Sequence, residues 1–319
     1  MELSTRNSNI DGIKILAAIA VVAIHVMNYN GVLSWYRPFL DLAVPLFFMI
    51  TGYFIGHRSD EYLKQYNKKT VKIYLITSLF YILAGVIGYS LQYEGSLTID
   101  SLLNYLMTEH FIRKYILSGG VGKFHLWYLF SLVVGVGIYK WLRRFLTLEW
   151  IIVISSILSI MYINSILYID TGGIPKALLF ITIGQLMRQK VKTTNKKLKI
   201  ILIIPNSLLA IASLYVYFST EQVLLYWVIN GMMAVIVFHF CLTTQIRSNR
   251  VIQSLTNHTT MIYILHIFVL EVYILMLKVF NITINGELFM LMGVVVVVTV
   301  SVWMSQGLKK VNDLLHVVQ

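Results

Sequence analysis

The sequence contains few of the residues that soluble proteins use for solubility and covalent stabilisation. Only 13% of its 319 residues are charged, roughly half the fraction that is usual in a soluble domain. Its single cysteine, Cys241, excludes a disulfide framework within the chain. These shortages argue against a soluble protein and against a disulfide-stabilised secreted one.

Motifs for metal and nucleotide chemistry are also missing. There is no HExxH pair, no zinc-type cysteine set, no P-loop and no convincing GxGxxG. The stretch SGGVGKFH (118–125) is rich in glycine, but it lacks the full P-loop spacing and follows no predicted strand. We therefore predict no metal site. The net charge of +12 is not accompanied by a nucleic-acid-binding signature, so no nucleic-acid partner is expected.

The sequence is instead rich in long apolar runs. Hydrophobic residues make up 58% of the chain and the mean hydropathy is +0.75. Segments of about 17–25 residues, each long enough to cross a bilayer, recur along the whole length. We predict an all-α fold, a polytopic transmembrane bundle of about ten helices in one domain over residues 1–319. The predicted spans are 12–30, 39–56, 70–91, 124–141, 149–168, 174–188, 199–218, 222–243, 258–279 and 286–306.

The distribution of lysine and arginine predicts the orientation of these helices. With ten spans and a cytoplasmic N-terminus, twenty basic residues fall on the cytoplasmic side and six on the other. This asymmetry follows the positive-inside rule. We therefore predict that both termini are cytoplasmic and that membrane lipid surrounds the bundle.

One long connection on the non-cytoplasmic side, residues 92–123, has apolar residues at helical spacing with charges between them. This pattern predicts an amphipathic helix that lies in the interface or partly re-enters the membrane. This segment could be a lid that takes no part in the chemistry, or it could help to bind the acceptor. In the second span, Pro45 is expected to kink the helix and Gly52 to allow a neighbouring helix to approach closely.

The first span contains a lysine and a histidine among apolar and small residues. Lys14 and His25 are eleven residues apart, which places them about 20° from each other on a helix and about 16 Å apart along its axis. Asp11, one turn before Lys14, can pair with it. Ionisable groups inside a span usually face a protein-lined or water-filled interior, where His25 could act as a general base. The alternative is a lysine that reaches back to the interface and a structural histidine.

Four stretches carry a resemblance to one known family. They are IDGIKILAAIAVVAIH (10–25), VPLFFMITGYFI (44–55), KFHLWYL (123–129) and TTMIYILHIFV (259–269). Together, and in this order, they resemble the acyltransferase-3 family of membrane acyltransferases that modify bacterial surface polysaccharides. Two positions depart from the family pattern, because Lys14 stands where the family has arginine and Thr51 where it has serine. The chain also resembles the membrane domain of vancomycin-resistance serine racemases.

The resemblance implies a reaction and roles for individual residues. The donor would be cytoplasmic acyl-CoA, with acetyl as the expected acyl group. The acceptor would be a hydroxyl of a surface polysaccharide or a lipid-linked glycan, at the plasma membrane of a bacterium. His25 would be the base or the acyl carrier, with Lys14 as its catalytic partner. Donor binding is expected from Lys14, Lys69 and Lys72, and substrate binding from His125, Trp127, Thr51, Tyr53 and His266.

Alternatives stay open at several of these positions. Lys69 and Lys72 also fit ordinary positive-inside residues, and Trp127 also fits an interfacial anchor. His239 is expected to be structural, and His57, His110, His258 and His316 are given no role. The main functional alternative is a membrane transporter of a small amino acid such as serine, and a third is acylation of a lipid or an antibiotic. The oligomeric state is left open, with a homo-oligomer as one alternative.

Overall fold

The structure is a computed structural model, and it describes residues 8–30, 35–90, 98, 100, 103, 119–163, 173–190, 196–219, 222–244, 250–284 and 286–308. Regular secondary structure within these residues is helical throughout, which confirms the predicted all-α class. The helices are α1 (Ser8–Asn30), α2 (Arg37–Leu40), α3 (Ala43–Ile55), α4 (Asp60–Tyr89), α5 (Trp127–Leu142), α6 (Leu148–Ile163), α7 (Ile174–Lys190), α8 (Lys196–Phe218), α9 (Val223–Thr243), α10 (Arg250–Thr256), α11 (Thr259–Val279) and α12 (Gly286–Gly307).

Seven helical segments in the described part of the chain are long and apolar enough to cross a membrane, so the protein is a multi-pass membrane protein. They are Ser8–Asn28, Arg37–Ile55, Asp60–Tyr89, Phe124–Leu142, Val223–Thr243, Thr259–Val279 and Gly286–Gly307. Two further apolar helical segments, Leu148–Ile163 and Ser207–Phe218, are shorter. The total of ten spans and the cytoplasmic side of both termini stay predictions. The predicted amphipathic helix in 92–123 falls largely outside the described residues.

The chain forms two compact units. The first contains Met1–Ile50 and Met187–Val317, and the second contains Thr51–Leu186. The prediction of a single domain over residues 1–319 stays a prediction.

Helix α1 is the central element of the first unit. It packs against α2, α9, α10, α11 and α12, and most of its side chains are buried, from Ile10 to Met27. A helix that is apolar on nearly every face needs such surroundings. On α12, a Cβ added at Gly293 would lie 2.8 Å from Val26 of α1, so the glycine lets these two helices approach closely.

Helix α4 of the second unit is longer than the predicted span 70–91, because it begins at Asp60. The Ser59 hydroxyl caps it by accepting from the backbone N–H of Tyr62 at 3.3 Å. Its 30 residues make it about 45 Å long, which exceeds the ~30 Å hydrocarbon core of a bilayer. Its exposed side chains are polar as far as Lys72 and apolar from Leu75 onward, so we place the boundary between water and lipid between these two residues.

The second predicted span is broken just before Pro45, in keeping with the predicted effect of this proline. The second predicted span consists of two helices, and α3 begins at Ala43, so Pro45 stands in its first turn. A proline is tolerated there, because the amide groups of the first turn have no partner within the helix in any case. The break lies at Asp41 and Leu42. Asp41 is four residues before Pro45, so its carbonyl is the one for which a proline supplies no N–H donor.

The close approach expected at Gly52 is confirmed. A Cβ built on Gly52 would overlap the backbone carbonyl of Ile181, so α3 and α7 touch through their main chains. Gly56, one turn later, is covered in the same way by the side chain of Gln185. The turn that follows α3 is held by Arg143, which donates to the carbonyl oxygens of Gly56 at 3.2 Å and Arg58 at 3.1 Å.

Candidate active site

Helix α1 positions the lysine and the histidine that the sequence singles out. It runs without interruption from Ser8 to Asn30, so Lys14 and His25 lie close to one side of the same helix, about 16 Å apart along its axis. Both side chains are partly buried, whereas Leu16 between them is exposed. Asp11 is buried and lies one turn before Lys14.

His25 lies against a second histidine, His266 of α11. The two ring centroids are 5.0 Å apart and the ring planes are inclined by 36°. The first span and the late Tyr-x-x-His helix therefore meet through their imidazoles, inside one compact unit. Sequence reasoning proposed a role for each residue but did not predict this contact.

His266 is held firmly in place. It is completely buried, and its Nδ1 lies 2.6 Å from the backbone carbonyl oxygen of Tyr263, one turn earlier on α11. A carbonyl oxygen can only accept a hydrogen bond, so Nδ1 is the nitrogen that carries the proton. The neutral ring then presents Nε2 as its acceptor.

A hydrogen-bonded cluster around Arg37 lies in the same unit and interacts electrostatically with His25. Arg37 Nε forms an ion pair with Asp41 at 2.8 Å, and Arg37 Nη1 donates to Asn28 Oδ1 at 2.8 Å. The Tyr226 hydroxyl of α9 donates to the other oxygen of Asp41 at 2.7 Å. Arg37 is one of the six basic residues that the predicted topology places on the non-cytoplasmic side, and the sequence pattern assigned it no further role. The spacing of Arg37 and Asp41 by one helical turn was the signal that could have identified the pair.

The second unit contains a cluster of hydroxyl groups around Thr51. The Thr51 side chain is hydrogen-bonded with Tyr66 of α4 and with Tyr128 of α5, both of which are buried. One turn beyond Tyr66, the Thr70 hydroxyl donates to the Tyr66 carbonyl at 3.0 Å. The structure thus brings the predicted Thr51 together with two tyrosines that sequence reasoning missed.

His125 and Trp127 stand where α5 begins, and each has a neighbour within the second unit. His125 is buried, and its ring meets Tyr81 of α4 nearly edge to face, with centroids 4.9 Å apart. Trp127 is partly buried, and its six-membered ring lies close against Gly173. Part of the Trp127 ring is therefore covered within the protein rather than by lipid.

The remaining predicted residues also belong to the second unit. Tyr53 is partly buried and packs edge to face on Phe54, with centroids 5.6 Å apart. On α4, Lys69 is partly buried and Lys72 is exposed, and both precede the apolar part of that helix. Within the described ranges, no three His, Cys, Asp or Glu side chains are grouped so that they could hold a metal ion.

The sequence matches the model of one protein family, whose description is "Acyltransferase domain", over residues 7–306. The chain belongs to the acyltransferase-3 family. The match contains α1 and α11, so both histidines of the contact lie within the family domain. This membership confirms the resemblance that the four sequence stretches indicate.

Several curated proteins are similar to the chain over part of their length. Two proteins named amino-acid racemase from Enterococcus faecalis are each 32% identical, over 48% and 44% of this chain. A serine/alanine racemase from Enterococcus gallinarum is 25% identical over 41% of it. The matched region amounts to about a fifth of each relative, 21%, 20% and 19% respectively. No solved structure matches the chain significantly.

Proposed function

We propose that the protein is an integral-membrane O-acyltransferase of the bacterial plasma membrane. It moves an acyl group, with acetyl as the expected one, from cytoplasmic acyl-CoA to a hydroxyl of a cell-surface glycan or glycolipid. The observation that carries the proposal is the contact of His25 with His266 in the interior of an acyltransferase-family domain. A partly buried imidazole with a second, fully buried imidazole beside it is suited to moving a proton.

In the simplest reaction, His25 acts as a general base. It takes the proton of the acceptor hydroxyl while the hydroxyl oxygen attacks the thioester carbonyl carbon. The tetrahedral intermediate collapses as the carbon–sulfur bond breaks, and the sulfur leaves as thiolate. The proton on His25 then passes to the thiolate, so the products are the O-acyl ester and CoA, and His25 is regenerated.

In the second route, His25 is a nucleophile and carries the acyl group itself. The imidazole nitrogen attacks the thioester carbon, the carbon–sulfur bond breaks, and the ring N–H proton passes to the thiolate, which gives CoA and an acyl-imidazole. The acceptor hydroxyl then attacks the acyl carbon, the carbon–nitrogen bond breaks, and the hydroxyl proton returns to the imidazole. The two routes give the same products. They differ in a covalent intermediate that mass spectrometry of a rapidly quenched sample detects on the peptide containing His25.

The donor-binding role rests on three lysines. Lys14 lies on α1 about three turns before His25, and Lys69 and Lys72 precede the apolar part of α4. Ammonium groups near the water–lipid boundary suit the phosphates of CoA, which are costly to bring into hydrocarbon. The Lys14 ammonium is a point charge, whereas the guanidinium of an arginine would donate a bidentate pair of hydrogen bonds.

Acceptor binding is proposed for His125, Trp127, Thr51 and Tyr53. Hydroxyl, imidazole and indole groups are the usual partners of sugars, because they supply directed hydrogen bonds and flat apolar faces. The hydrogen-bonded group of Thr51, Tyr66 and Tyr128 supports this assignment, since it places several polar atoms inside the second unit.

The proposal is tested in nanodiscs, in which both membrane faces are accessible. The purified protein receives radiolabelled acetyl-CoA and a lipid-linked glycan fraction extracted from bacterial membranes. CoA release and label transferred to the glycan are measured for the wild type, His25→Ala and His239→Ala. His239 is a partly buried histidine of α9 outside the proposed machinery, which makes it a matched control.

The expected result is label transfer by the wild type and His239→Ala, with a loss of about 10²–10⁴-fold in His25→Ala. A wild type that releases no CoA from any of several acyl-CoA donors would overturn the proposal. So would an His25→Ala variant that is as active as the wild type.

One observation favours a second candidate, a transporter of a small amino acid. The curated proteins that resemble the chain are named amino-acid and serine/alanine racemases. Uptake of labelled serine into proteoliposomes distinguishes the two functions. Uptake that is independent of acetyl-CoA supports the transporter, whereas CoA release without serine uptake supports the enzyme.

A further inference from the structure

His266 is a buried histidine whose neighbours already restrict its chemistry. Its Nδ1 lies 2.6 Å from the Tyr263 carbonyl oxygen, and no part of the side chain is exposed. The carbonyl accepts, so the proton is on Nδ1 and the neutral ring has its lone pair on Nε2. The backbone of α11 therefore determines which nitrogen of His266 can accept a hydrogen bond.

His25 is the neighbouring residue that can donate a hydrogen bond to the Nε2 of His266. With ring centroids 5.0 Å apart and planes inclined by 36°, the two imidazoles are neither stacked face to face nor perpendicular. The rings are in contact, so rotation of the His25 ring about its side-chain bonds can bring one of its N–H groups to the Nε2 of His266. Arg37, which also interacts electrostatically with His25, has no lone pair to accept this N–H.

We propose that His266 is a positioning residue that accepts a hydrogen bond from His25 and so fixes its tautomer and ring orientation. This inference rests on the proposed function, in which His25 is the catalytic residue. The tautomer of an imidazole is set by the hydrogen bond that its other nitrogen makes. With one nitrogen of His25 donating to His266, the opposite nitrogen presents its lone pair to the acceptor hydroxyl.

The arrangement also accounts for the use of two histidines from distant parts of the chain. A carboxylate would hold a histidine through its negative charge, which is costly to bury among apolar side chains without a compensating cation. A neutral imidazole provides the same acceptor without that cost. The Tyr263 carbonyl on the far side of the ring completes a chain of three groups in which each orients the next.

Activity measurements in the nanodisc assay use two variants of His266. His266→Phe keeps a planar ring but removes the acceptor, and His266→Gln restores an acceptor through its carboxamide oxygen. We expect kcat to fall about 10–100-fold in His266→Phe, as when the partner that orients a metal-bound histidine is removed, and to recover in part in His266→Gln. The KM for acetyl-CoA should stay within about twofold, because the donor is bound elsewhere. His239→Phe is the matched control and should retain wild-type kcat.

A second measurement needs no substitution and no activity. Nitrogen-15 NMR of histidine-labelled wild-type protein in nanodiscs should show a protonated ring nitrogen of His25 coupled to the unprotonated Nε2 of His266. An unprotonated Nδ1 on His266, or no coupling between the two rings, would overturn the inference even if a variant failed to fold.

The outcomes separate the two proposals. A wild type that transfers acyl groups, with His266→Phe equally active, overturns the positioning role alone. A wild type that releases no CoA overturns the proposed function, and the NMR coupling then still decides whether the two histidines are paired.

Discussion

The Tyr226 hydroxyl and the Arg37 guanidinium hold the same carboxylate, that of Asp41, from two sides. The hydroxyl lies 2.7 Å from Oδ2 and the Arg37 Nε lies 2.8 Å from Oδ1. Since Asp41 directly follows α2, this pair of contacts ties α9 to the connection between α2 and α3. The side chains of Arg37 and Asp41 are only 23% and 24% exposed, so water competes weakly with these bonds.

The first prediction concerns the hydrogen bond that the Tyr226 hydroxyl donates to Asp41. In Tyr226→Phe, the Asp41 carboxylate loses the hydroxyl group that donates to it, while the aromatic ring at position 226 is kept. A hydrogen bond to a charged group contributes about 1.5–3 kcal/mol, so the midpoint of thermal unfolding in detergent should fall by several degrees. Tyr215→Phe on α8, where the side chain is 74% exposed, is the control and should leave the midpoint unchanged. Equal midpoints for the two variants would contradict the prediction.

The second prediction concerns the contact of α3 with α7. Gly52→Ala places a methyl group on the carbonyl of Ile181, and backbone atoms cannot turn aside as a flexible side chain can. The two helices must separate, at a cost of about 1–3 kcal/mol or more. Gly88→Ala on α4 meets nothing within 4 Å and removes a helix-destabilising glycine, so it should be neutral or slightly stabilising. Both are measured by thermal unfolding and by the yield of monodisperse protein, and a stable Gly52→Ala would show that the helices are less closely packed.

The third prediction concerns the lysine that replaces the family's arginine. If Lys14 contacts the donor, Lys14→Met removes a charge-assisted hydrogen bond and should raise the KM for acetyl-CoA about tenfold or more. Lys14→Arg keeps the charge and adds donors, so its KM should equal or fall below that of the wild type. Lys64→Met, at an exposed position of α4, is the control. An unchanged KM for acetyl-CoA in Lys14→Met would show that Lys14 does not bind the donor.

The fourth prediction concerns the boundary on α4 and, with it, the orientation of the chain. In a Cys241→Ala background, cysteines replace Lys68 or Leu83, one on each side of the proposed boundary. A maleimide that cannot cross membranes should label Lys68→Cys in inside-out vesicles and leave Leu83→Cys unlabelled. Labelling of Lys68→Cys only from the outer face of intact cells would show that the chain has the opposite orientation to the predicted one.

The sequence was sufficient to predict most of the helices. Long apolar runs and the positions of basic residues identified ten segments, and each contains helix in the described chain. Boundaries were less accurate, because α4 begins at Asp60, where its polar first turns carry no hydrophobic signal. The serine cap followed by two acidic residues, Ser59 to Glu61, was the local signal that could have located its start.

The candidate site was predictable only in part. Helical geometry alone placed Lys14 and His25 near one side of α1. The contact of His25 with His266 depends on tertiary packing of α1 against α11, which no local pattern contains. The same holds for Tyr66 and Tyr128 around Thr51, since each tyrosine is a common residue in an apolar span and only the packing of three helices brings their hydroxyls together.

The contact between His25 and His266 joins a residue of the first helix to one near the far end of the chain. During synthesis, α1 enters the bilayer long before the ribosome has translated α11. The His25 imidazole of the nascent chain therefore lacks its His266 neighbour until α11 has been inserted. On the proposed mechanism, a nascent chain that still lacks α11 therefore cleaves thioester more slowly than a chain in which both histidines are in contact.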